Sequence, residues 1–282
     1  MNITQQEIED WVLTQSDGAF HYTKIKDGII DRKLYGSLRT IMHRMREKGL
    51  AYPVLGRDGW WRKADLDLQE ERWWDRNGDG ESDSITFPLG INKYAHLPRP
   101  ALVLVAGLYN QGKTAFCLNI IKLNMDKWKD NIFLFASEGL EQLSWKFKKL
   151  LPLLEKPPPF KTYRRFDNFA DVIVPDGLNI IDYLRTDMDK PYTVTNKLLE
   201  INKKLSTGVA VVAMQKPPGR RIAFGGASTG AEPTLYLSID KGYLEFEKIK
   251  APKLLDSDPY HTRINFTISQ GVNFVEGDTI VE

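Results

Sequence analysis

Residues 105–116 read VAGLYNQGKTAF and place Gly107, Gly112, Lys113 and Thr114 at the spacing GxxxxGK[ST]. That spacing suits an anion. A glycine-rich turn lets successive backbone N–H groups face one phosphate, the lysine reaches its outer oxygens, and the threonine offers a hydroxyl to a divalent ion. The nucleotide-binding loop is expected to comprise Gly107, Leu108, Tyr109, Asn110, Gln111, Gly112, Lys113, Thr114 and Ala115. Three more polar residues stand in or just after later apolar runs: Glu138 after NIFLFAS, Asp182 inside LNIIDYL and Gln215 after VAVVAM. The set supplies Lys113 for phosphate oxygens, Thr114 and Asp182 for Mg²⁺, Glu138 as a base, and Gln215 as a polar sensor of a terminal phosphate.

Such a set works only if strand ends bring it together. ALVLVA precedes the loop and AFCLNIIKLNM follows it, so a strand feeding a helix is expected there, with the helix N-terminus facing the anion. ALVLVA, NIFLFA, GLNIIDYL and VAVVAMQ are short, continuous apolar runs, as strands buried on both faces require, and the helical or loop segments between them predict a mostly parallel sheet flanked by helices. LPLLEKPPPFKTYRR reads as a proline-stiffened interruption carrying a basic cluster. TLYLSID, GYLEFEKIK, TRINFTI and GVNFVEG read as antiparallel strands added at one edge.

The first 66 residues have another character. Thr4 and Glu7 have capping-box spacing for a helix over 3–15. Leu34, Leu38, Ile41, Met42 and Met45 recur at helical spacing until Gly49, and LAYPVL, GRDG and WWRKA read as strand, turn, strand. Helices followed by a hairpin predict a small winged helix over 1–66. Residues 20–63 hold eleven Lys and Arg against four Asp and Glu, a net +7 that includes Lys24, Lys26, Arg32 and Lys33. Arg39, Arg44 and Arg46 lie off the apolar face of the second helix, so duplex DNA is the expected partner. An acidic connector over 67–86 follows. Its Asp75, Asn77, Asp79 and Gly80 imitate a calcium loop, but the twelfth position is Thr86 rather than a bidentate acid, and a linker is the better reading.

Bulk properties narrow the classes. Net charge is +2, so a nucleic-acid argument must rest on where the charge sits. The single cysteine, Cys117, excludes an internal disulfide, no apolar run approaches the roughly 20 residues that span a bilayer, and the polar N-terminus is unlike a signal peptide. A cytoplasmic protein without membrane contact is expected. His21, His43, His96 and His261 show no metal-ligand spacing.

Residues 87–282 are expected to form one ATPase domain, of which the stretch from Phe87 to about Phe274 resembles the RecA-like ATPase core, in its DnaB-type replicative helicase branch. FPLGINKYAHLPRPALVLVAGLYNQGKTAFCLNI is similar to that family's phosphate loop and flanking elements, IFLFASEGLEQL to the strand bearing the water-polarising acid, NIIDYL to the Walker B strand and VAVVAMQ to the strand ending in the sensor glutamine. The resemblance implies ATP and Mg²⁺ as ligands, catalytic roles for Lys113, Glu138 and Gln215, and a homo-oligomer, a hexamer among the possibilities. LEFEKIKAPK is similar to the late strand that offers a lysine and an arginine finger to the neighbouring subunit; here the pair is Lys248 and Lys250, without the guanidinium fork. Asp182 is followed by Tyr183 and the acid lies one strand earlier, which favours a RecA-like over an AAA+ arrangement.

The segment after Gln215, KPPGRRIAFGGASTGAEPT, holds Lys216, Arg220 and Arg221 in glycine-rich sequence, as a phosphate track for single-stranded DNA would, and Phe224 is placed to stack on a base. RTDMDK after Leu184 stands where the family has its other channel loop. The cluster Lys146, Lys148, Lys149, Lys161, Arg164 and Arg165 is expected to be a solvated face or subunit contact. The expected function is an oligomeric, Mg²⁺-dependent ATPase acting on nucleic acid, a DNA helicase or translocase. The alternatives are a recombination or remodelling ATPase that does not unwind, and an ATP-switched DNA-binding regulator with little hydrolysis.

Overall fold

The computed structural model describes residues 4–14, 18–25, 35–66, 84–187, 189–253, 259–260 and 262–280. Lys26, Asp27, Asp31, Arg32, Lys33, Leu34, His261 and the calcium-loop-like run 75–80 lie outside them. The chain divides into two compact units, Met1–Arg76 and Asn77–Glu282, a division that falls inside the expected connector. Among the described residues no helix is long and apolar enough to cross a membrane.

In the first unit, helix α1 (Gln5–Thr14) opens on the expected capping box. The Thr4 amide donates to Glu7 Oε2 at 2.7 Å and the Glu7 amide to Thr4 Oγ1 at 3.3 Å. Helix α2 (Tyr35–Glu47) ends where Gly49 adopts φ +71, a left-handed turn that a side chain would strain. Ile8 and Val12 of α1 and Leu38, Ile41, Met42 and Met45 of α2 share one core with Phe20, Ile25, Ala51 and Trp61. Phe20, Ala51 and Trp61 come from a three-stranded antiparallel sheet of β1 (Ala19–His21), β2 (Ala51–Pro53) and β3 (Trp60–Lys63), in the order β1-β3-β2, and Ile25 follows the short 3-10 turn Tyr22–Lys24.

The second unit is built on a nine-stranded sheet. Its strands are β4 (Ala101–Gly107), β5 (Ile132–Ala136), β6 (Lys161–Arg164), β7 (Leu178–Leu184), β8 (Val209–Gln215), β9 (Leu235–Asp240), β10 (Tyr243–Ile249), β11 (Arg263–Ser269) and β12 (Asn273–Ile280). Spatial order is β12-β11-β10-β9-β4-β8-β7-β5-β6. Strand β4 is buried throughout because both faces are covered. Val103 and Val105 face a cluster containing Phe116 and Ile120 of α3 (Lys113–Asn124) and Leu143 of α4 (Leu140–Leu150). Leu102 and Leu104 face the opposite cluster, which contains Val194, Leu198 and Ile201 of α5 (Thr193–Lys204).

The four expected buried strands are present, but two details differ from expectation. TLYLSID, read as antiparallel, forms β9, which pairs in parallel with β4 on one side and antiparallel with β10 on the other; β10, β11 and β12 continue the antiparallel pairing. The reversal begins one strand later because the chain between β8 and β9 crosses over and returns to the starting edge before Leu235. Conversely, KTYR in the proline-stiffened segment is not merely a cluster. It forms the edge strand β6, parallel to β5, with all four residues exposed and charged ends that discourage further pairing. Residues 84–86, at the end of the expected connector, belong to the second unit. Ile85 is fully buried, Thr86 exchanges two 2.8 Å hydrogen bonds with the Asn124 side chain, and Trp128 Nε1 donates to Ser84 O.

Gly208, just before β8, sets the central register. A Cβ there would lie 2.6 Å from Gly177 O and 2.7 Å from Pro175 O, both rigid backbone. Its amide donates to Pro175 O and its carbonyl accepts from Ala101, so β4 and β8 are joined at this point. Gly208→Ala is expected to destabilise the second unit by about 1–3 kcal/mol, seen as a lower urea midpoint, since the backbone must open to admit the methyl group.

Candidate functional site

Four adjacent parallel strands, β4, β8, β7 and β5, end along one edge, and each delivers a residue of the expected set. Gly107 closes β4 and is in register with Gln215, the last residue of β8. On the neighbouring pair Ala136 of β5 is in register with Asp182 of β7, and the Ser137 amide donates to Asp182 O at 3.0 Å, which carries Glu138 just past the edge. The Asp182–Tyr183 peptide is cis. A cleft of about 530 Å³ opens here, and Lys113, Thr114, Glu138, Asp182 and Gln215 all line it.

The 107–112 turn is shaped by contacts that leave no room for side chains at its glycines. A Cβ on Gly107 would stand 3.0 Å from Ile239 O and 3.1 Å from Lys113 Cγ. Gly112 has φ +102, and a Cβ there would meet Ile268 Cδ1 at 2.6 Å. Asn110 is also left-handed, at φ 58. Gly112 caps α3, so the first amides of that helix point into the turn. Among the loop residues Leu108 contributes a carbonyl, Ala115 lines the floor, and Gln111 keeps Oε1 buried with no hydrogen-bond partner. Tyr109 is 73% exposed and stands at the cleft mouth rather than filling it.

Lys113 curls back over the turn, donating from Nζ to Gly107 O at 2.8 Å and Leu108 O at 2.6 Å. Burial pushes its ammonium below the ordinary lysine range, against the pull of Asp182. Neutral carbonyls are weak partners for a cation, and a phosphate oxygen at the same place would hold it more strongly. Asp182 is 4% exposed. Burial raises its carboxyl from 3.8 to about 6; the Thr114 hydroxyl, which donates to it, pulls the other way, and the charge on Glu138 adds to the rise. A buried carboxylate with a hydroxyl beside it, both oxygen donors, suits a hard divalent cation such as Mg²⁺ that takes its remaining ligands from phosphate and water.

Two contributors were not legible as site residues. Lys146, expected on a solvated face or at a subunit contact, lines the cleft from α4 and donates to both carboxylate oxygens of Glu138 at 2.6 Å. The only available signal was its position eight residues after Glu138 on an amphipathic helix, which is weak. Ile268 and Gly271, from the β11–β12 hairpin, form another wall, and Asn119 of α3 ties that hairpin down by donating to Val272 O at 2.7 Å. Nothing local in TRINFTISQG signals that role.

The residues assigned to nucleic acid separate. Lys216 does not join the arginines: it is 1% exposed, and its ammonium donates to Asp240 Oδ2 at 2.6 Å and Ser238 Oγ at 2.8 Å, so it is an internal tie and not part of a phosphate track. It directly follows β8, and Ser238 and Asp240 in the last half of β9 receive it. Arg220 is exposed on a turn, whereas Arg221 lies 3.5 Å from the buried Glu245, which also bonds Arg263. The segment itself is pinned, with the Phe224 amide donating to Gln215 O at 3.0 Å and the Ala223 amide to Tyr236 Oη at 2.6 Å. Phe224, Gln215, Tyr183 and Arg185 share a second cavity of about 270 Å³, where the two expected channel loops meet. Lys248 and Lys250 do not line this chain's cleft; their ammonium groups bond the carbonyls of Gly230, Ala231 and Glu232. In the first unit Arg39 and Arg46 are exposed on α2, while Arg44 reaches Gln5 Oε1 on α1 at 3.0 Å.

Because folding raises the Asp182 pKa, its contribution to stability is greatest below the unfolded value of 3.8 and is lost as pH rises through about 6. A rise of that size corresponds to about 3 kcal/mol. In metal-free buffer Asp182→Asn is therefore expected to be more stable than the parent at pH 8 by up to about 3 kcal/mol, with the advantage gone at pH 3.5. Urea titrations at the two pH values measure this; equal midpoints at pH 8 would show that the carboxylate carries no burial cost.

No protein-family model matches the chain, and no curated protein matches it in sequence. A functional assignment therefore rests on the geometry of the cleft.

Proposed function

We propose that the chain is a Mg²⁺-dependent ATPase of the RecA-like, DnaB-type kind that acts on DNA. The observation that carries this reading is the convergence of Lys113, Thr114, Asp182, Glu138 and Gln215, from four neighbouring strand ends, on one cleft. Chance polar residues at strand ends would not meet around a left-handed glycine turn at a helix N-terminus. The strand arrangement supports the RecA-like part, since the acid follows the end of β5 and the buried carboxylate lies on β7, not on adjacent residues of one strand.

In this reading the amides of 108–114 and the Lys113 ammonium bind the phosphates. Thr114 and Asp182 hold Mg²⁺, which when bound supplies charge neutralisation to the phosphate oxygens. Glu138 orients water and takes its proton, and Gln215 couples the terminal phosphate to the segment that begins at Lys216. Tyr109 and Ile268 at the mouth offer apolar surface to a base. The small sheet and the exposed Arg39 and Arg46 support a winged helix that docks on duplex DNA, and Arg220 with Arg185 supports a single-strand path across the second cavity. A side-by-side homo-oligomer is part of this proposal, with Lys248 and Lys250 placed toward the boundary with a neighbouring copy. A cytoplasmic location belongs to the same proposal. The rival, an ATP-switched DNA-binding regulator, is favoured by one feature: both oxygens of Glu138 are occupied by Lys146.

Lys113→Ala is expected to lower ATP turnover at least about 100-fold, because the removed ammonium contacts the transferring group. Duplex binding, followed by fluorescence anisotropy, should be unchanged. Turnover that survives this substitution would remove the ATPase assignment, and parent protein that binds ATP tightly without hydrolysing it would favour the regulator.

A further inference from the structure

We propose that Lys146 is the catalytic cation of this cleft: it leaves Glu138 for the terminal phosphate when ATP binds, and so acts from within the chain where related machines use an arginine from a neighbour. This inference rests on the ATPase reading. Three observations lead to it. The Lys146 ammonium is inside the cleft that Lys113, Thr114 and Asp182 line, and it is bidentate on Glu138 at 2.6 Å. Both partners remain about a fifth to a quarter exposed, so the pair faces the cleft rather than being sealed in the core. The cations expected to act in trans, Lys248 and Lys250, are instead bonded to carbonyls of their own chain.

Charge argues for the exchange. The cleft walls present two carboxylates, Glu138 and Asp182, and two ammonium groups, Lys113 and Lys146. A triphosphate adds several negative charges beside Glu138, and without a local cation the repulsion would oppose closure. The Lys146 ammonium sits on a flexible four-carbon stem, so it can pivot from the carboxylate to a phosphate within the cleft. Its transfer does two things in one movement: it neutralises charge on the γ-phosphoryl oxygens, and it frees the carboxylate to accept a proton. In the hydrolytic step the water oxygen bonds to the γ-phosphorus while its proton passes to Glu138. The bond from that phosphorus to the β–γ bridging oxygen breaks, leaving its electron pair on ADP. Lys146 keeps its proton throughout, and the products are ADP and inorganic phosphate.

The test compares full-length parent, Lys146→Met and Lys146→Arg for binding of a fluorescent ATP analogue, single-turnover hydrolysis, and trapping of ADP with aluminium fluoride, a planar mimic of the transferred group. For Lys146→Met, analogue affinity should stay within about threefold while hydrolysis falls roughly 100-fold and the fluoride trap is lost. Lys146→Arg, which keeps the charge, should recover to within about tenfold of the parent. Melting temperatures confirm that each variant is folded. Three results would overturn the inference: Lys146→Met hydrolysing as fast as the parent, Lys146→Met hydrolysing faster, which would make Lys146 a restraint on Glu138, or folded variants that both lose analogue binding, which would make it a ground-state anchor. Failure of the underlying reading looks different, because the parent itself would neither bind the analogue nor turn over ATP.

Discussion

Burial of the Asp182 carboxylate is the constraint around which the second unit is organised. A charge at that depth is costly unless cations and donors surround it, and here Thr114, Lys113 and Lys146 all bear on it. None of these is near Asp182 in sequence. They reach it because β4, β8, β7 and β5 are parallel and aligned so that their ends coincide, and because both faces of those strands are covered by apolar clusters. The sheet behaves as a ruler for charge placement. A shift in its register would leave the carboxylate buried without its partners.

The C-terminal strands serve the same edge from the other side. Through Ile268 the β11–β12 hairpin presses on Gly112, and through Val272 it is tied to α3. Strands β9 and β10 hold the segment after Gln215, by Tyr236 beneath Ala223, by Ser238 and Asp240 on Lys216, and by Lys248 and Lys250 on the carbonyls of 230–232. Gln215 belongs to both assemblies, lining the cleft with its side chain and accepting from Phe224 with its carbonyl. A change at the cleft floor thus has a short covalent and hydrogen-bonded route to Arg220 and Phe224. That is the connection an ATP-driven DNA motor would need.

The first unit illustrates how clustered charge divides once a chain folds. Of the basic residues that make 20–63 strongly positive, Arg44 and Lys48 bond Gln5 and Glu9 of α1, and Arg57 and Arg62 lie over Trp60 and Tyr52, all four staying exposed. Arg39 and Arg46 remain exposed on α2. The net charge persists at the surface, and the directions of four of these cations are set by neighbours within the unit.

Local chemistry was legible from residue order alone. The capping box at Thr4 and Glu7, the glycine stop at Gly49, the glycine-bounded turn at 107–112 and four buried strands depend on neighbours a few residues apart, and their physics is contained in such windows. What only the tertiary structure decided are contacts between distant segments. It placed Lys146 on Glu138 and drew Lys216 into the core, set the hairpin against the turn, and returned β9 beside β4 in parallel. A lysine looks the same in sequence whether its ammonium meets water, a carboxylate or a carbonyl. Which one it meets is fixed by the direction its Cβ takes from a packed helix or strand, and that direction exists only after the sheet has assembled.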